Sequence, residues 1–236
     1  MKAIARVFLL CFCAVLSASA GWADTGQRSV EAINYEMKTA PADIAVVFPG
    51  KEWHLEEASL ISPPDGYQIA HPGIYSALKT FTVEATFSIR EHLSGGGAGL
   101  HIGFHQGVPF RGWSVLYYPD DGEVRFEYRS ASSPNDVGMT VTLLAKKTIK
   151  VTDNPINIKV VIDSDRKRWL TYVNGVELFN FRPQGIPVFL HTGLCVLNAR
   201  AAFQTFTIKA GGTVKPMLAV GDSITHHCRW SEIASQ

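Results

Sequence analysis

Hydrophobic and polar residues alternate through much of the middle of this chain. Phe81, Val83, Ala85, Phe87 and Ile89 are separated by single polar residues. A period of two places successive side chains on opposite faces of a β-strand, so one set lies against a core and the other faces outward. Alternation or short apolar runs recur at 100–104, 113–118, 124–128, 156–162, 169–173, 176–181, 188–191, 193–197 and 203–209. About ten short strands are therefore predicted between positions 44 and 210.

Turn-forming sequences separate the predicted strands. Pro119-Asp120-Asp121-Gly122 is rich in residues that favour turns, and Asn174-Gly175 suits a two-residue type I′ hairpin, in which both central residues need positive φ. Many short strands with turns between them are typical of two packed antiparallel sheets. The predicted fold class is therefore all-β, a two-sheet antiparallel sandwich or jelly roll over residues 44–212.

The first 23 residues have the features of a secretory signal peptide. Lys2 and Arg6 supply positive charge, an apolar run follows at 7–16, and the small residues Ala18-Ser19-Ala20 offer a cleavage site. The apolar run is too short to span a bilayer. We therefore expect a secreted or periplasmic protein that has no contact with a membrane after cleavage.

Residues 24–43 are weakly patterned, and we expect them to form a leader segment. Val30, Ile33 and Met37 are spaced along one side of a short predicted helix over 29–38. The Ala-Pro-Ala sequence that follows is expected to end this helix.

Composition and charge exclude some classes of function and bear on the cysteines. The 236-residue chain has a formal charge of +1 and no basic patch interleaved with aromatic residues, which argues against nucleic acid as a partner. Cys11 and Cys13 lie in the signal peptide. Export permits a disulfide between Cys195 and Cys228. The alternative is that Cys195 is buried as a small apolar side chain and Cys228 is unpaired.

Four side chains on two adjacent strands are candidates for contacting a sugar. His101 and His105 lie on the side of their strand opposite the apolar residues, and Trp113 and Tyr117 share one face of the next strand. Aromatic rings stack on the C–H surfaces of sugars, and imidazole nitrogens bond hydroxyls. We therefore predict these four as substrate-binding residues. The alternative is that Trp113 and Tyr117 belong to the core and that the histidines are surface or inter-strand residues.

No metal site and no cofactor is predicted. On one strand, His101 and His105 are about 13 Å apart, too far to bind one ion unless the strand bulges. Glu123 and Glu127 are also ~13 Å apart, beyond the ~5–9.5 Å between the paired carboxylates of glycosidases. The alternating Glu-Arg-Glu-Arg row at 123, 125, 127 and 129 is interpreted as a solvated face with opposite charges as neighbours.

A possible nucleophile lies near the carboxyl terminus. A short apolar strand at 217–220 leads into Gly221-Asp222-Ser223-Ile224-Thr225, which resembles the first block of the GDSL/SGNH hydrolases, a family of serine esterases. The resemblance implies that Ser223 is the nucleophile, with Asp222 beside it in the catalytic block. The family's later asparagine, glycine and Asp-x-x-His blocks do not follow Ser223. A serine without an oriented base is a poor nucleophile, so this chain is expected to be catalytically incomplete.

The order of the predicted strands resembles the concanavalin A-like lectin/glucanase sandwiches. The resemblance is carried by the strands at 81–89 and 156–162, the hairpin at 169–181 with its Asn174-Gly175, and the closing strand at 203–209. It implies a sandwich of the kind that binds polysaccharides, although such folds host lectins, glycosidases and spacers alike.

Together these features predict an exported protein in two parts. The sandwich at 44–212 binds a polysaccharide or acylated carbohydrate, and residues 213–236 are a linker and the truncated start of an SGNH hydrolase domain. The full-length parent would deacylate carbohydrate or acyl esters. The alternative is a free-standing sandwich that acts as a glycan-active enzyme, a lectin or a structural spacer, with Ser223 non-catalytic.

Overall fold

The structure, a computed structural model, describes eleven segments of the chain: 32–37, 45–47, 53–71, 75–76, 80–105, 110–131, 139–151, 154–163, 166–182, 191–210 and 215–216. These residues lie in strands and in the turns and short connections between them, and none of them is helical. Accordingly, they include no helix that is long and apolar enough to cross a membrane.

Fifteen strands occur in the described residues. They are β1 Ala32–Glu36, β2 Ala45–Val47, β3 His54–Glu56, β4 Ser59–Ile61, β5 Tyr67–His71, β6 Tyr75–Ser76, β7 Thr80–His105, β8 Phe110–Tyr118, β9 Glu123–Ala131, β10 Thr140–Thr148, β11 Ile156–Asp163, β12 Arg168–Val173, β13 Val176–Phe181, β14 His191–Ala210 and β15 Lys215–Pro216.

Two long strands, β7 and β14, run through both layers of the sandwich and pair with each other along most of their length. The first half of β7 pairs with β11, and its second half pairs with β8. Layer A therefore has the order β13-β12-β11-β7-β14, with β1 and β4 beyond β14. Layer B has the order β10-β9-β8-β7-β14-β5-β2. All of these pairs are antiparallel, so the predicted sandwich architecture is confirmed.

The two long strands pass from one layer to the other at a common corner. The pairing of β14 with β7 shifts register between Leu197 and Ala199. Gly95 and Asn198 adopt positive φ angles there, 72° and 46°, which glycine and asparagine tolerate best. The side-chain oxygen of Asn198 accepts a hydrogen bond from the amide of Gly66 at 2.9 Å, and this bond ties the corner to the turn before β5.

The hydrophobic core lies between the two layers. Along β7, Phe81, Val83, Ala85 and Phe87 are buried while the residues between them are partly exposed, as the alternation predicted. The same alternation of burial runs through β11. Burial of each large apolar side chain stabilises the fold by about 1.5–3 kcal/mol.

The predicted turn between β12 and β13 is also present. Asn174 and Gly175 have φ angles of 46° and 80°, and two such angles in succession are the requirement of a type I′ hairpin. The side-chain oxygen of Asn174 accepts a hydrogen bond from the amide of Asn157 at 2.8 Å. This bond fixes the hairpin against β11.

The chain enters the sandwich earlier than expected. Residues Ala32–Glu36 form a strand that pairs with β14, not the predicted helix. An isolated helix of about ten residues is marginal in water, whereas the edge of β14 offers backbone partners. Met37, which follows this strand, is fully buried in the core.

The sequence pattern also missed β10. This strand is exposed along nearly its whole length, with Val141, Leu143 and Leu144 each 44–49% exposed. It forms the edge of layer B, and among the described strands it pairs with β9 alone. The alternation in this strand is confined to 140–143 and ends at Leu144, so the sequence shows no sustained period of two.

Several predictions concern residues outside the described part of the chain. These are the signal peptide, the leader apart from 32–37, and the catalytic block at 221–225 with Asp222 and Ser223. The beginning of an α/β domain after residue 216 therefore stays a prediction.

Candidate functional site

Layer B has an inner face toward the core and an outer face on its other side. In β8, Trp113 and Tyr117 pack against the inner core, whereas Ser114, Leu116 and Tyr118 lie on the outer face. Neighbouring strands add further residues to this outer face: Tyr67, Ile69, His101, Arg125, Glu127, Arg129, Cys195 and Leu197.

Three of the four predicted sugar-binding residues do not share one face, because the sheet separates His101 from Trp113 and Tyr117. The ring of Trp113 lies 5.2 Å from that of Trp169 and 5.4 Å from that of Tyr128, inside the aromatic core. His101 is fully buried on the other face. The core alternative is therefore the observed arrangement for Trp113 and Tyr117. The strand bulges between Ile102 and His105, and the side chain of His105 lies outside the described part of the structure.

His101 belongs instead to a contact with Tyr67 across the outer face. The hydroxyl of Tyr67 lies 2.5 Å from Nδ1 of His101, and the two rings meet edge to face at 5.9 Å. Burial raises the pKa of Tyr67 well above its ordinary value. The Arg129 guanidinium carbon lies 4.6 Å from the centre of the same tyrosine ring.

The centre of the outer face is a buried ion pair between two residues of β9. Nη2 of Arg129 lies 2.5 Å from Oε2 of Glu127, and their side chains are only 3% and 5% exposed. Bringing two charges out of water costs several kcal/mol per ion, unless attraction and hydrogen bonds offset it. This pair therefore needs further partners, and the adjacent strand supplies them.

Two hydroxyl groups of β8 complete the network. The hydroxyl of Tyr118 lies 3.0 Å from both carboxylate oxygens of Glu127, and Nη2 of Arg129 donates to the Tyr118 oxygen at 3.0 Å. Nε of Arg129 donates to Oγ of Ser114, also at 3.0 Å. Burial lowers the pKa of Arg129, but Tyr67, Glu127 and Tyr118 together raise it above its ordinary value. The guanidinium is therefore charged at every ordinary pH.

Partly exposed charges continue the row along β9 toward the turn. Nε of Arg125 and Nζ of Lys146 donate to the two oxygens of Glu123, each at 2.9 Å. Arg125 also pairs with Asp121, and its guanidinium carbon lies 4.3 Å from the centre of the Tyr118 ring. Hydrogen bonds from Lys146 and Arg125 lower the pKa of Glu123. We call Asp121, Glu123, Arg125 and Lys146 the charged rim.

The interpretation of this row as a solvated face is therefore only half right. Opposite charges are neighbours throughout, and the charged rim does meet solvent. Glu127 and Arg129, however, are 4% and 3% exposed. The reason is a second apolar cluster on the outer face, in which Ile69, Leu116, Tyr118 and Cys195 are buried.

Cys195 is a free thiol in this second cluster. Burial raises its pKa from 9.0 to about 12. The prediction that Cys195 is a buried apolar residue is therefore the one that the structure supports, whereas the predicted partner Cys228 lies outside the described residues.

The sequence contained one signal for this network. Residues 113–118 combine an aromatic run with apolar residues at both even and odd positions, a pattern typical of a strand that is covered on both faces. That pattern indicates that the outer face of β8 is buried. Glu127 and Arg129 of β9 lie beside this buried face, and charges buried in this way have to be paired.

The described residues of this face offer no candidate metal site. Among the described side chains, no three His, Cys, Asp or Glu residues are grouped so that they could hold an ion. The arrangement can instead offer hydrogen-bond donors and acceptors that are held in fixed positions by the buried pair.

Solved structures similar to this one identify the fold. A carbohydrate binding module, CBM66 from Bacillus subtilis, superposes with a TM-score of 0.52 at 16% identity, over 71% of this chain and 96% of that one. The potassium-bound carbohydrate recognition domain of Emp46p gives 0.59 at 14% identity, over 78% and 98%. A Bauhinia forficata lectin in complex with GalNAc gives 0.53 at 13% identity, over 77% and 98%. The fold is a lectin-like β-sandwich.

The likeness to this lectin-like sandwich is one of fold alone, because each identity is below one fifth. No protein-family model matches the sequence, and no curated protein matches it. The superposition covers 96–98% of each of these three chains, so the sandwich accounts for nearly all of each similar domain.

Proposed function

We propose that this chain binds carbohydrate through the outer face of layer B. The observation that carries the proposal is the buried Glu127–Arg129 pair, with its hydroxyl partners Ser114 and Tyr118, at the middle of a sheet face. Packing alone does not require charge there, because well-packed hydrophobic residues would be as stable or more so. The lectin-like fold supports a sugar or polysaccharide as the partner.

Direct contact with the sugar is assigned to the charged rim. Arg125 is 26% exposed, and Lys146 is 54% exposed. Tyr118 connects this rim to the buried pair, because its hydroxyl bonds Glu127 while its ring lies under Arg125. A planar guanidinium and nearby carboxylates that are held in this way can bond the adjacent hydroxyls of a sugar ring with fixed geometry.

Binding is better supported than hydrolysis. The carboxylate of Glu127 lies within hydrogen-bonding distance of Tyr118, Ser114 and Arg129, so its lone pairs are engaged. The carboxylate of Glu123 is bonded by Arg125 and Lys146. Both carboxylates are thus bonded by fixed cationic or hydroxyl partners, which leaves neither free for the general acid or nucleophile role that glycoside hydrolysis needs.

A glycan array followed by calorimetry with the purified chain tests this function. We expect saturable binding to at least one polysaccharide and at least a tenfold loss of affinity in Arg125→Ala. The matched control is Arg168→Ala on layer A, whose guanidinium bonds the exposed Asn180. Absence of binding to any glycan, or equal affinity in Arg125→Ala and wild type, would reject the proposal.

The block Gly221-Asp222-Ser223-Ile224-Thr225 favours a second, finer proposal. In it the sandwich is the binding module of a secreted or periplasmic SGNH-type serine esterase that acts on acylated carbohydrate. Reading the coding frame beyond Gln236 for an asparagine block and an Asp-x-x-His motif tests this. A reading frame that continues into unrelated sequence would leave the alternatives of a free-standing lectin or spacer.

For the chain itself we expect no hydrolysis of a small acetyl ester, and hydrolysis that Ser223→Ala abolishes would show that the chain is catalytically complete.

A further inference from the structure

A groove lies between the chain that follows β10 and the β12–β13 hairpin. Its volume is about 390 Å³, within the range of small-molecule sites. None of the charged-rim or ion-pair residues lines it. The lining consists of Lys147, Ile149, Lys150, Val151, Val173, Asn174, Val176 and Leu178.

Both walls of this groove are fixed by hydrogen bonds. On one side, the amide of Ile149 donates to the carbonyl of Gly122 at 2.8 Å. On the other, Asn174 exchanges two bonds with Asn157: its amide donates to the Asn157 carbonyl at 2.9 Å, and its side-chain oxygen accepts from the Asn157 amide at 2.8 Å. The groove is therefore preformed, and a ligand would pay little ordering entropy to enter it.

The floor of the groove is aliphatic. Val173 is buried, and Ile149, Val151 and Leu178 are partly buried against the core. Val176 is 62% exposed at the tip of the hairpin. The described lining residues include no aromatic ring on which a sugar could stack, so this site suits an aliphatic ligand better than a sugar.

The charged side chains among the described lining residues are both positive. Lys147 and Lys150 are exposed, and neither has an ion-pair or hydrogen-bond partner in the part of the chain that the structure describes. None of the described residues that line the groove is a carboxylate. Lys146 differs, because it points to the outer face and bonds Glu123 at 2.9 Å. Two uncompensated ammonium groups beside an aliphatic floor complement a ligand that has one anionic end and one apolar end.

We propose that this groove binds a small aliphatic carboxylate, of the class of medium-chain fatty acids. The carboxylate lies between the ammonium groups of Lys147 and Lys150, and the hydrocarbon chain lies along Val173, Val151 and Leu178. The site is separate from the outer face, and it does not rest on carbohydrate binding.

Titration of the ¹⁵N-labelled chain with octanoate, followed by amide NMR shifts, tests this proposal. We expect saturable shifts in the hairpin amides 173–178 and a roughly tenfold weaker affinity in the double variant Lys147→Met/Lys150→Met, as expected from the loss of two exposed ion pairs. The matched control Lys146→Met, one position away on the other face, is expected to bind like wild type. Octanol and acetate, which each lack one of the two features, are expected to bind at least tenfold more weakly than octanoate.

Four outcomes would overturn the proposal. They are no shifts in the hairpin, equal affinity of the double variant and wild type, equal binding of octanol, and equal binding of acetate. A short acidic and aliphatic peptide that shifts the same amides at lower concentration than octanoate would assign the groove to a protein partner instead. Because the readout is local to the hairpin, it is independent of any glycan result.

Discussion

The inner and outer faces of layer B bury neighbouring residues of the same strand in opposite ways. Phe126 on the inner face is fully buried, with its ring 4.5 Å from Phe181 and 5.5 Å from Trp169. Glu127, the next residue, is 4% exposed on the outer face, and its partners are Arg129 and Tyr118. Buried apolar area and close packing stabilise the inner face. Ion pairing and hydrogen bonds between buried polar side chains stabilise the outer face.

This difference indicates which face of layer B has residues that stability alone does not explain. Many different sets of apolar side chains with the same total volume can fill a core almost equally well. A buried ion pair is rarely the most stable solution for its site, since desolvation opposes it. We therefore assign the stability of the sandwich mainly to the inner face. The outer face is the candidate for a binding function.

The inner face should show the largest loss of stability. Phe126→Ala leaves a cavity among Trp169 and Phe181, and we expect it to lower the free energy of unfolding by about 3–5 kcal/mol. Urea denaturation followed by tryptophan fluorescence measures this. The matched variant Phe126→Leu keeps most of the volume and should lose less than half as much. Equal losses in both variants would mean that packing volume is not what the site requires.

On the outer face, removing one charge of the buried pair should destabilise the fold more than removing both charges. Glu127→Gln leaves the Arg129 charge buried without a counter-ion, and we expect a loss of about 3 kcal/mol in urea denaturation. The double variant Glu127→Leu/Arg129→Met removes both charges and should recover more than half of that loss. If glycan binding depends on the pair, the double variant should fold and yet bind at least tenfold more weakly.

A double variant as unstable as the single one would contradict this account. It would mean that the hydrogen bonds to Ser114 and Tyr118, and not the uncompensated charge, determine the cost. A double variant with wild-type glycan affinity would separate the buried pair from the proposed function.

The two faces also differ in how far the sequence predicted them. The inner face follows from alternation alone, since Leu100 and Ile102 of β7 and Val124 and Phe126 of β9 are the buried apolar positions of two alternating segments. The outer face could not be predicted in the same way. A row of Glu and Arg at alternate positions has the same pattern whether water or a second cluster covers it, and only Leu116 and Tyr118 on the adjacent strand distinguish the two cases.

Whether Trp113 and Tyr117 face the core or the outer face could not be decided from the sequence for a related reason. Alternation shows which residues share a face of one strand, but the register between strands decides which faces join. Ile102 pairs with Trp113 and His101 with Ser114, so the aromatic residues join the core and the histidine joins the outer face. A shift of one residue would have exchanged them.

Alkaline pH should weaken the outer face selectively. Burial raises the pKa of Cys195 from 9.0 to about 12, and it raises the pKa of Tyr67 and Tyr118 above 10.0. The unfolded chain therefore loses these protons at lower pH than the folded chain, so the contribution of these three groups to stability is constant below about pH 9 and falls as the pH rises toward 12. Urea midpoints measured from pH 7 to 11 test this sign, and Cys195→Ala should fall less steeply. A stability that rises over this range would contradict the burial of these groups.

The smallest effect is expected from the charged rim, which belongs to the same row of β9 as the buried pair. Lys146 is 54% exposed where it bonds Glu123, and ion pairs in water contribute little because side-chain entropy and salt offset the attraction. Lys146→Met should leave the urea midpoint close to that of wild type, and 1 M NaCl should remove the remaining difference. A loss as large as that of Glu127→Gln would show that the rim is part of the stabilising network. It could not then be treated as a surface free to exchange its hydrogen bonds for those of a sugar.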